Sequence, residues 1–220
     1  MNKKIILEFI GMPGSGKTFY QKKIVKILKN EVIANNFNKF NKLKKFQYII
    51  LFIRKHPIFF FKTIILLINN LLFFKDFKKH LYYFYNEIAF RSFFDYQKKK
   101  LILINSEGFA YRSAFYFRNN FNHRTEDYIK KIPKIDLLIF VHTNKKIDVE
   151  RTRERKKGYK YSKKENINYY KKLFYLKKVL KIFKNNNTKL IIIDNKNINL
   201  SKKNIKKILK HIKNENSSYQ

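Results

Sequence analysis

The chain has 220 residues, which suits one folding unit and is long enough for a sizeable core. Its 51 Lys and Arg residues against 15 Asp and Glu residues give a formal net charge of +36, which is typical of proteins that contact nucleic acid or an anionic membrane. Because cysteine is absent, disulfides and thiolate metal sites are excluded, and we expect a cytoplasmic protein.

The first predicted element is a strand. Residues 3–10, KKIILEFI, form a short apolar and β-branched run that stops at Gly11, as is typical of a strand buried on both faces of a parallel sheet. Apolar residues then recur at helical spacing over 18–30. The chain therefore opens with a strand, a glycine-rich loop and a helix.

The loop reads GMPGSGKT over residues 11–18 and matches G-x-x-x-x-G-K-[ST], the phosphate-binding P-loop. It holds three of the five glycines in the chain. Glycine permits backbone angles and close approaches that a Cβ would block, so consecutive amides can point at a phosphate. The residues that we expect to bind the nucleotide belong to this motif: Gly11, Pro13, Gly14, Ser15, Gly16, Lys17 and Thr18.

Two side chains of the motif have specific expected roles. The helix that begins near Lys17 adds its unpaired N–H groups and the positive end of its dipole. Lys17 is expected to reach the β and γ phosphates, and the Thr18 hydroxyl to ligate Mg²⁺. The sequence thus predicts ATP and Mg²⁺ as cofactors.

Residues 40–100 interrupt the alternation of strands and helices, because they are mainly apolar, aromatic and basic and contain no glycine. We expect two or three helices there. The segment 58–74 comes nearest to a membrane span, but Lys62, Asn69 and Asn70 interrupt it and a span needs about 20 apolar residues. We predict a buried helix pair, with insertion into a membrane or docking on its surface as the alternative.

The rest of the chain returns to alternation. Three further strands are predicted from short apolar runs, at 101–105, 136–143 and 189–194. Helices are expected between and after them, at roughly 109–119, 125–131, 146–156, 163–184 and 201–213. Ser162 and Glu165 have the spacing of a capping box for one of these helices. The pattern predicts a three-layer α/β/α sandwich around a parallel sheet, with a helical insertion, as a single domain over 1–220.

Polar residues follow the strand at 101–105. Glu107 lies beyond its carboxyl end, where parallel sheets build their sites, and Arg112 comes about one helical turn later. A carboxylate there can accept a proton from an acceptor hydroxyl, orient the acceptor or hold a magnesium-bound water. The alternative is a surface carboxylate paired with a lysine. Arg91 is assigned either to an acceptor phosphate or to a structural role.

Arginine says more about function than lysine does in this chain. The high lysine content is the pattern that an AT-rich genome would impose whatever the function. A guanidinium grips phosphate oxygens in a bidentate way that an ammonium cannot copy. Arg151, Arg153 and Arg155 alternate along one segment, and on a helix the three cannot share a face. We therefore expect Arg151 and Arg155, at i and i+4, to point at one ligand. A solvated basic face is the alternative for any single arginine.

The blocks FIGMPGSGKT, SEGFAYR and DLLIFVHTNKKIDVERTRERKKGY resemble the thymidylate kinase-like branch of the P-loop nucleoside and nucleotide kinases. The resemblance implies an arginine-rich lid over about 146–160 with a hinge at Gly158. It also implies adenine contacts from the loop after the last strand, at 194–197, with Asp194 among them. Relatives usually carry an acidic residue where this chain has Asn105, Ser106 and Glu107, so the resemblance leaves open whether Glu107 replaces that residue or is displaced from its position.

These observations predict an enzyme that transfers the γ-phosphoryl group of ATP to a small acceptor such as a nucleoside, a nucleotide or a sugar-like alcohol. Lys17 and the two lid arginines would neutralise the transferred phosphoryl group, and Glu107 would orient or deprotonate the acceptor. Arg112 and Arg91 would bind the acceptor. Two alternatives stay open, a nucleotide-dependent module that binds nucleic acid or anionic membrane, and a kinase of nucleic-acid ends. Thymidylate itself is not predicted.

Overall fold

The computed structural model describes residues 4–34, 41–69, 77–97, 101–105, 107–116, 123–155, 163–186, 188–196 and 201–217. In these ranges five strands form one parallel sheet in the order β2-β3-β1-β4-β5. Their bounds are β1 (Ile5–Ile10), β2 (Val32–Ala34), β3 (Ile102–Asn105), β4 (Leu137–His142) and β5 (Lys189–Asp194). The sheet is parallel, as predicted.

Helices accompany the strands along the described chain. Their bounds are α1 (Lys17–Leu28), α2 (Lys42–Lys55), α3 (Pro57–Asn69), α4 (Phe77–Tyr96), α5 (Phe109–Tyr116), α6 (His123–Lys130), α7 (Lys145–Arg155), α8 (Lys163–Asn185) and α9 (Ser201–Ser217). A short 3-10 turn, Lys29–Glu31, joins α1 to β2. Helices cover both faces of the sheet, which gives the predicted three-layer α/β/α fold.

Alternation along β1 separates the two cores. Its odd-numbered residues pack with α1 and α9 on one face of the sheet. Ile6 and Ile10 point to the other face, where α4, α5 and α8 lie. Glu8 is also an even position and is fully buried. The fold therefore places a carboxylate inside an apolar layer.

The carboxyl end of β1 is a topological switch point. β1 pairs in parallel with β3 on one side and with β4 on the other. The order of strands reverses there, and open α/β sheets bind ligands in the crevice at such a point. The P-loop starts directly after Ile10, so the fold brings it to the position where a ligand is expected.

Between residues 40 and 100 the structure describes three helices, in agreement with the expectation of two or three. α2 starts where Asn41 caps it, its Oδ1 accepting a hydrogen bond from the N–H of Lys44 at 2.9 Å. α3 starts at Pro57, a position where the missing N–H costs nothing. α2 packs on α4, and α3 contacts both of them. Among the described residues no helix is both long enough and apolar enough to span a bilayer.

The predicted elements and the observed ones differ mainly at their ends. The strand predicted at 3–10 is β1 at Ile5–Ile10, and the strand predicted at 189–194 has the same bounds as β5. β2 was not predicted, because three residues are too few to show a periodicity. Ser162 lies outside the described residues, so the capping box stays a prediction.

Candidate active site

The backbone of the P-loop is held in a conformation that needs glycine. Gly14 and Gly16 have φ angles of +88° and +97°, a region that L side chains rarely adopt. Side chains would also lack space, since a Cβ at Gly14 would collide with the main chain of Asp148 and one at Gly16 with the amide of Asn195. The loop is thus enclosed by α7 and by the segment after β5.

The end of the loop and the start of α1 offer polar groups that suit a ligand. Gly16 is the N-cap residue of α1 and offers no side-chain cap. The first N–H groups of a helix have no intrahelical partner and carry the positive end of the dipole. The Oγ of Ser15 is fully buried and has no hydrogen-bond partner among the described residues. Because an unmade buried hydrogen bond costs free energy, these groups suit an anionic ligand.

Lys17 is folded back over the loop. Its Nζ donates hydrogen bonds to the carbonyl oxygens of Gly11 at 2.8 Å and Met12 at 3.0 Å. The same atom lies 5.1 Å from the centre of the Tyr111 ring, and only 7% of Lys17 is exposed. A largely buried cation is therefore fixed beside the loop, where it can meet the negative charge of phosphates.

The residues present fit a magnesium nucleotide. Within the described ranges no group of three or more His, Asp or Glu side chains could hold a metal ion by itself. Mg²⁺ needs no such cage, since it keeps several waters and is bound through one or two protein oxygens plus substrate phosphates. Thr18 is exposed in the first turn of α1 and offers one such oxygen.

Asn195 connects the segment after β5 to the P-loop. Its Nδ2 donates to the carbonyl of Ser15 at 2.8 Å, and its Oδ1 accepts from the hydroxyl of Tyr20 at 3.0 Å. Asn195 is buried, whereas its neighbour Asp194 is partly exposed and forms an ion pair with Lys196 at 3.1 Å. The segment for which adenine contacts are predicted thus supports the P-loop through the main chain of Ser15.

Asp148 fixes α7 below the P-loop. It is buried, and its two carboxylate oxygens accept hydrogen bonds from Thr143 Oγ1 at 2.7 Å and from the Tyr169 hydroxyl at 2.6 Å. Burial raises the pKa of the Asp148 carboxyl, against the effect of these two hydrogen bonds and of the charges on Lys17 and Arg151. The end of β4, α7 and α8 therefore meet at one carboxylate.

The three arginines of α7 differ in their surroundings. Arg151 faces the P-loop, its Nη1 making a long hydrogen bond of 3.4 Å to the carbonyl of Gly14. Arg153 is exposed. The side chain of Arg155 and residues 156–160 lie outside the described part of the chain. The role of Arg155, the lid and its hinge at Gly158 therefore stay predictions.

Glu107 lies beyond the carboxyl end of β3, with Arg112 beside it. The Glu107 carboxylate is half-exposed and 3.9 Å from Nη2 of Arg112. The Arg112 guanidinium is nearly buried and stacks over the ring of Tyr83, with 4.5 Å between its Cζ and the ring centre. Its Nε has no hydrogen-bond partner among the described residues. This side of the cleft therefore combines an accessible carboxylate with a positioned guanidinium.

A second group of carboxylates, which is buried, lies beside the end of β3 and the start of α5. Glu8 accepts from the main-chain N–H of Tyr111 at 2.8 Å, and Glu87 of α4 accepts from Asn105 Nδ2 at 2.5 Å. Glu8 and Asn105 are register partners on β1 and β3. A Cβ at Gly108 would lie 2.7 Å from the Glu8 carboxylate, so a larger residue there would require the Glu8 side chain to shift. These contacts hold the segment that carries Glu107.

Arg91 is held in structural contacts. It is buried in α4, donates from Nη2 to the carbonyl of Lys134 and lies with its Nε 3.9 Å from Asp95 Oδ1. Lys134 precedes β4, at the end of the sheet opposite to the P-loop. Of the two roles considered for Arg91, these contacts correspond to the structural one, and its binding of an acceptor phosphate stays a prediction.

Three residues of the site were not found by reasoning from the sequence. Glu8, Asp148 and Asn195 each join the P-loop or the neighbouring turn to another element. The sequence does contain a signal for Glu8, because a carboxylate within an apolar strand is unusual. Asn195 lies within the loop that was predicted for adenine. The sequence contains no such signal for Asp148, because a carboxylate on a highly charged helix is ordinary.

No protein-family model matches the chain, and no curated protein matches it in sequence. Its structure is similar to that of thymidylate kinase from Ehrlichia chaffeensis, with a TM-score of 0.52 and 13% identity over 95% of this chain and 98% of that one. It is also similar to deoxyadenosine kinase from M. mycoides with products dCMP and dCDP bound, with a TM-score of 0.50 and 14% identity over 95% and 99%. The chain thus has the fold of P-loop kinases, as the motif blocks predicted.

Proposed function

We propose that the protein is an ATP-dependent kinase that phosphorylates a small acceptor. The observation that carries this proposal is the placement of Lys17, a largely buried cation fixed beside a glycine loop at the switch point of the sheet. Polyphosphate is the ligand whose charge and shape correspond to that loop. Thr18 would hold the Mg²⁺, which would supply further neutralisation of the phosphates.

The reaction places demands that the described residues can meet. The acceptor oxygen attacks the γ-phosphorus, the bond to the bridging oxygen breaks, and ADP leaves with that electron pair. Lys17, the amides of the loop and Arg151 would stabilise the negative charge on the transferred group. The acceptor proton would pass to Glu107, whose carboxylate is accessible and lies at the carboxyl end of the strand next to β1.

The acceptor is proposed at the side of Glu107 and Arg112. The nearly buried guanidinium of Arg112 would bind an anionic or polar group of the acceptor. The two similar structures are named as kinases of a deoxynucleoside and of a nucleotide, which supports testing those two classes first. We also propose that α2, α3 and α4 form the acceptor side of the domain and that residues 146–160 act as a lid.

The test is an ATP-consumption screen with purified full-length protein against nucleosides, nucleotides and sugars, with product identified by mass spectrometry. Lys17→Ala should lower turnover at least about 100-fold and leave the circular dichroism spectrum unchanged. Lys22→Ala is the matched control, since Lys22 is an exposed lysine of the same helix. Wild-type turnover by the Lys17→Ala variant, or no nucleotide binding by folded protein, would refute the proposal.

A further inference from the structure

Two helices expose rows of large apolar side chains. On α2 the exposed apolar residues follow the spacing i, i+3, i+7: Leu43, Phe46 and Ile50. On α3 they follow i, i+3, i+7, i+10 and are 52 to 58% exposed: Ile58, Phe61, Ile65 and Ile68. Such spacing places each set on one face of its helix. Single exposed apolar residues need no explanation, but aligned rows indicate a surface that contacts a partner.

The same two helices are strongly cationic. Residues 41–69 contain six Lys and Arg residues and no Asp or Glu. Lys45 and Lys55 contact Asn86 and Asp95 of α4, but four others are exposed: Lys42, Lys44, Arg54 and Lys62. Arg54 follows Ile50 by four residues and Lys62 follows Ile58 by four, so each lies one turn further along an apolar row. The rows are thus flanked by positive charge.

We propose that the exposed apolar faces of α2 and α3 dock on the surface of a bilayer that contains anionic phospholipid. An amphipathic helix with lysine and arginine beside its apolar face lies in the interfacial plane, its apolar side chains buried below the headgroups. Each cation near an anionic leaflet adds to the attraction. The proposal concerns only the exposed faces of these helices and does not depend on the kinase activity.

Charge complementarity favours a bilayer over two other partners, a second copy of the chain and a nucleic acid. A second copy of the chain would bring the same cations together, and the helices offer no carboxylate to pair with them. A nucleic acid would use the cations, but rows of leucine, isoleucine and phenylalanine add little to phosphate contacts. A lipid surface uses both the charge and the apolar rows.

The test is cosedimentation of the full chain with phosphatidylcholine vesicles, with and without phosphatidylglycerol. We expect binding only when phosphatidylglycerol is present, and weaker binding as salt rises. The double variant Phe61→Ser with Ile65→Ser should bind at least about tenfold more weakly, because two buried apolar anchors are lost. Lys62→Glu should weaken binding about thirtyfold at low salt. Leu43→Ser tests α2 separately and should also weaken binding.

The controls carry the same changes elsewhere on the surface. Phe174→Ser and Lys177→Glu alter exposed residues of α8 and should bind as the wild type does. Circular dichroism without vesicles reports on folding independently. Equal binding to neutral vesicles, or no binding, would overturn the proposal. So would a dimer in lipid-free buffer that the double variant dissociates, or an oligonucleotide complex that it abolishes.

Discussion

The carboxylate of Glu8 accepts a hydrogen bond from the main-chain N–H of Tyr111 at 2.8 Å, which joins the centre of the sheet to the start of α5. The N–H of Ala110 points at the same carboxylate. The ring of Tyr111 in turn lies beside the ammonium of Lys17. A buried carboxylate therefore positions the helix whose first turn touches the P-loop lysine.

Replacing Glu8 by Gln should change how stability depends on pH. Burial raises the pKa of Glu8 to about 8, and the charge of Glu87 adds to the rise while the Tyr111 N–H opposes it. Because this lies above the ordinary value of 4.5, the folded state binds the proton more tightly. The contribution of Glu8 to stability is therefore complete below pH 4.5 and is lost as pH rises through 8. Glu8→Gln, which resembles the protonated acid, should remove that loss.

Urea titrations at a series of pH values measure this effect. The free energy of unfolding of Glu8→Gln should fall less between about pH 5 and about pH 8 than that of the wild type. Glu107→Gln makes the same change at an accessible carboxylate of the same region and is the control. An unchanged slope in Glu8→Gln would mean that Glu8 is ionised in the folded protein throughout this range.

Tyr169 and Tyr170 offer a matched pair for the contacts of Asp148. The hydroxyl of Tyr169 donates to Asp148 at 2.6 Å, and Tyr170 is exposed. Tyr169→Phe leaves a buried carboxylate oxygen without its donor, so we expect a loss of about 1–3 kcal/mol in the free energy of unfolding. Tyr170→Phe should change it by less than about 0.5 kcal/mol. Equal losses in urea titrations would show that the hydrogen bond contributes little.

Asn195 should affect both stability and nucleotide binding. Asn195→Ala removes the support of the Ser15 carbonyl and leaves the Tyr20 hydroxyl without its acceptor, at a cost of about 1–3 kcal/mol. Because the loop is then less well ordered, the Kd for Mg-ATP should rise about tenfold by calorimetry at fixed salt. Lys202→Ala alters an exposed residue of α9 and serves as the control. An unchanged Kd in Asn195→Ala would show that the hydrogen bond to the Ser15 carbonyl does not contribute to the affinity for the nucleotide.

The sequence predicted the elements that have a local signal. β1, β4 and β5 are apolar runs of β-branched residues, and the P-loop is recognisable from its fixed glycines and lysine. β2 has three residues and depends on its pairing with β3, which local sequence cannot show. The order of strands around β1 is likewise a tertiary property.

The supporting residues of the site were hidden for the same reason. Asn195 and Ser15 are 180 residues apart, and Glu8 and Tyr111 are 103 apart. Neither pair shares a pattern along the chain, because each contact exists only after the sheet has formed. Arg91 shows the converse, since a rare arginine suggested a phosphate ligand and the fold buries it against Lys134.

Arg151 and Arg153 provide the sharpest test of catalysis by α7. Arg151 reaches the carbonyl of Gly14, while Arg153, two residues later on the helix, is exposed. If Arg151 stabilises charge on the transferred phosphoryl group, Arg151→Gln should lower kcat about 100-fold or more and change the Kd for Mg-ATP much less. Arg153→Gln should stay within about twofold of the wild type.

A conservative variant separates charge from geometry at this position. Arg151→Lys keeps the positive charge but loses the planar fork, so its kcat should recover only partly from the level of Arg151→Gln. Steady-state and single-turnover measurements with the acceptor found in the screen give the required values. Equal losses in Arg151→Gln and Arg153→Gln would assign the effect to the general charge of the helix, because the two residues differ in their approach to Gly14 and carry the same charge.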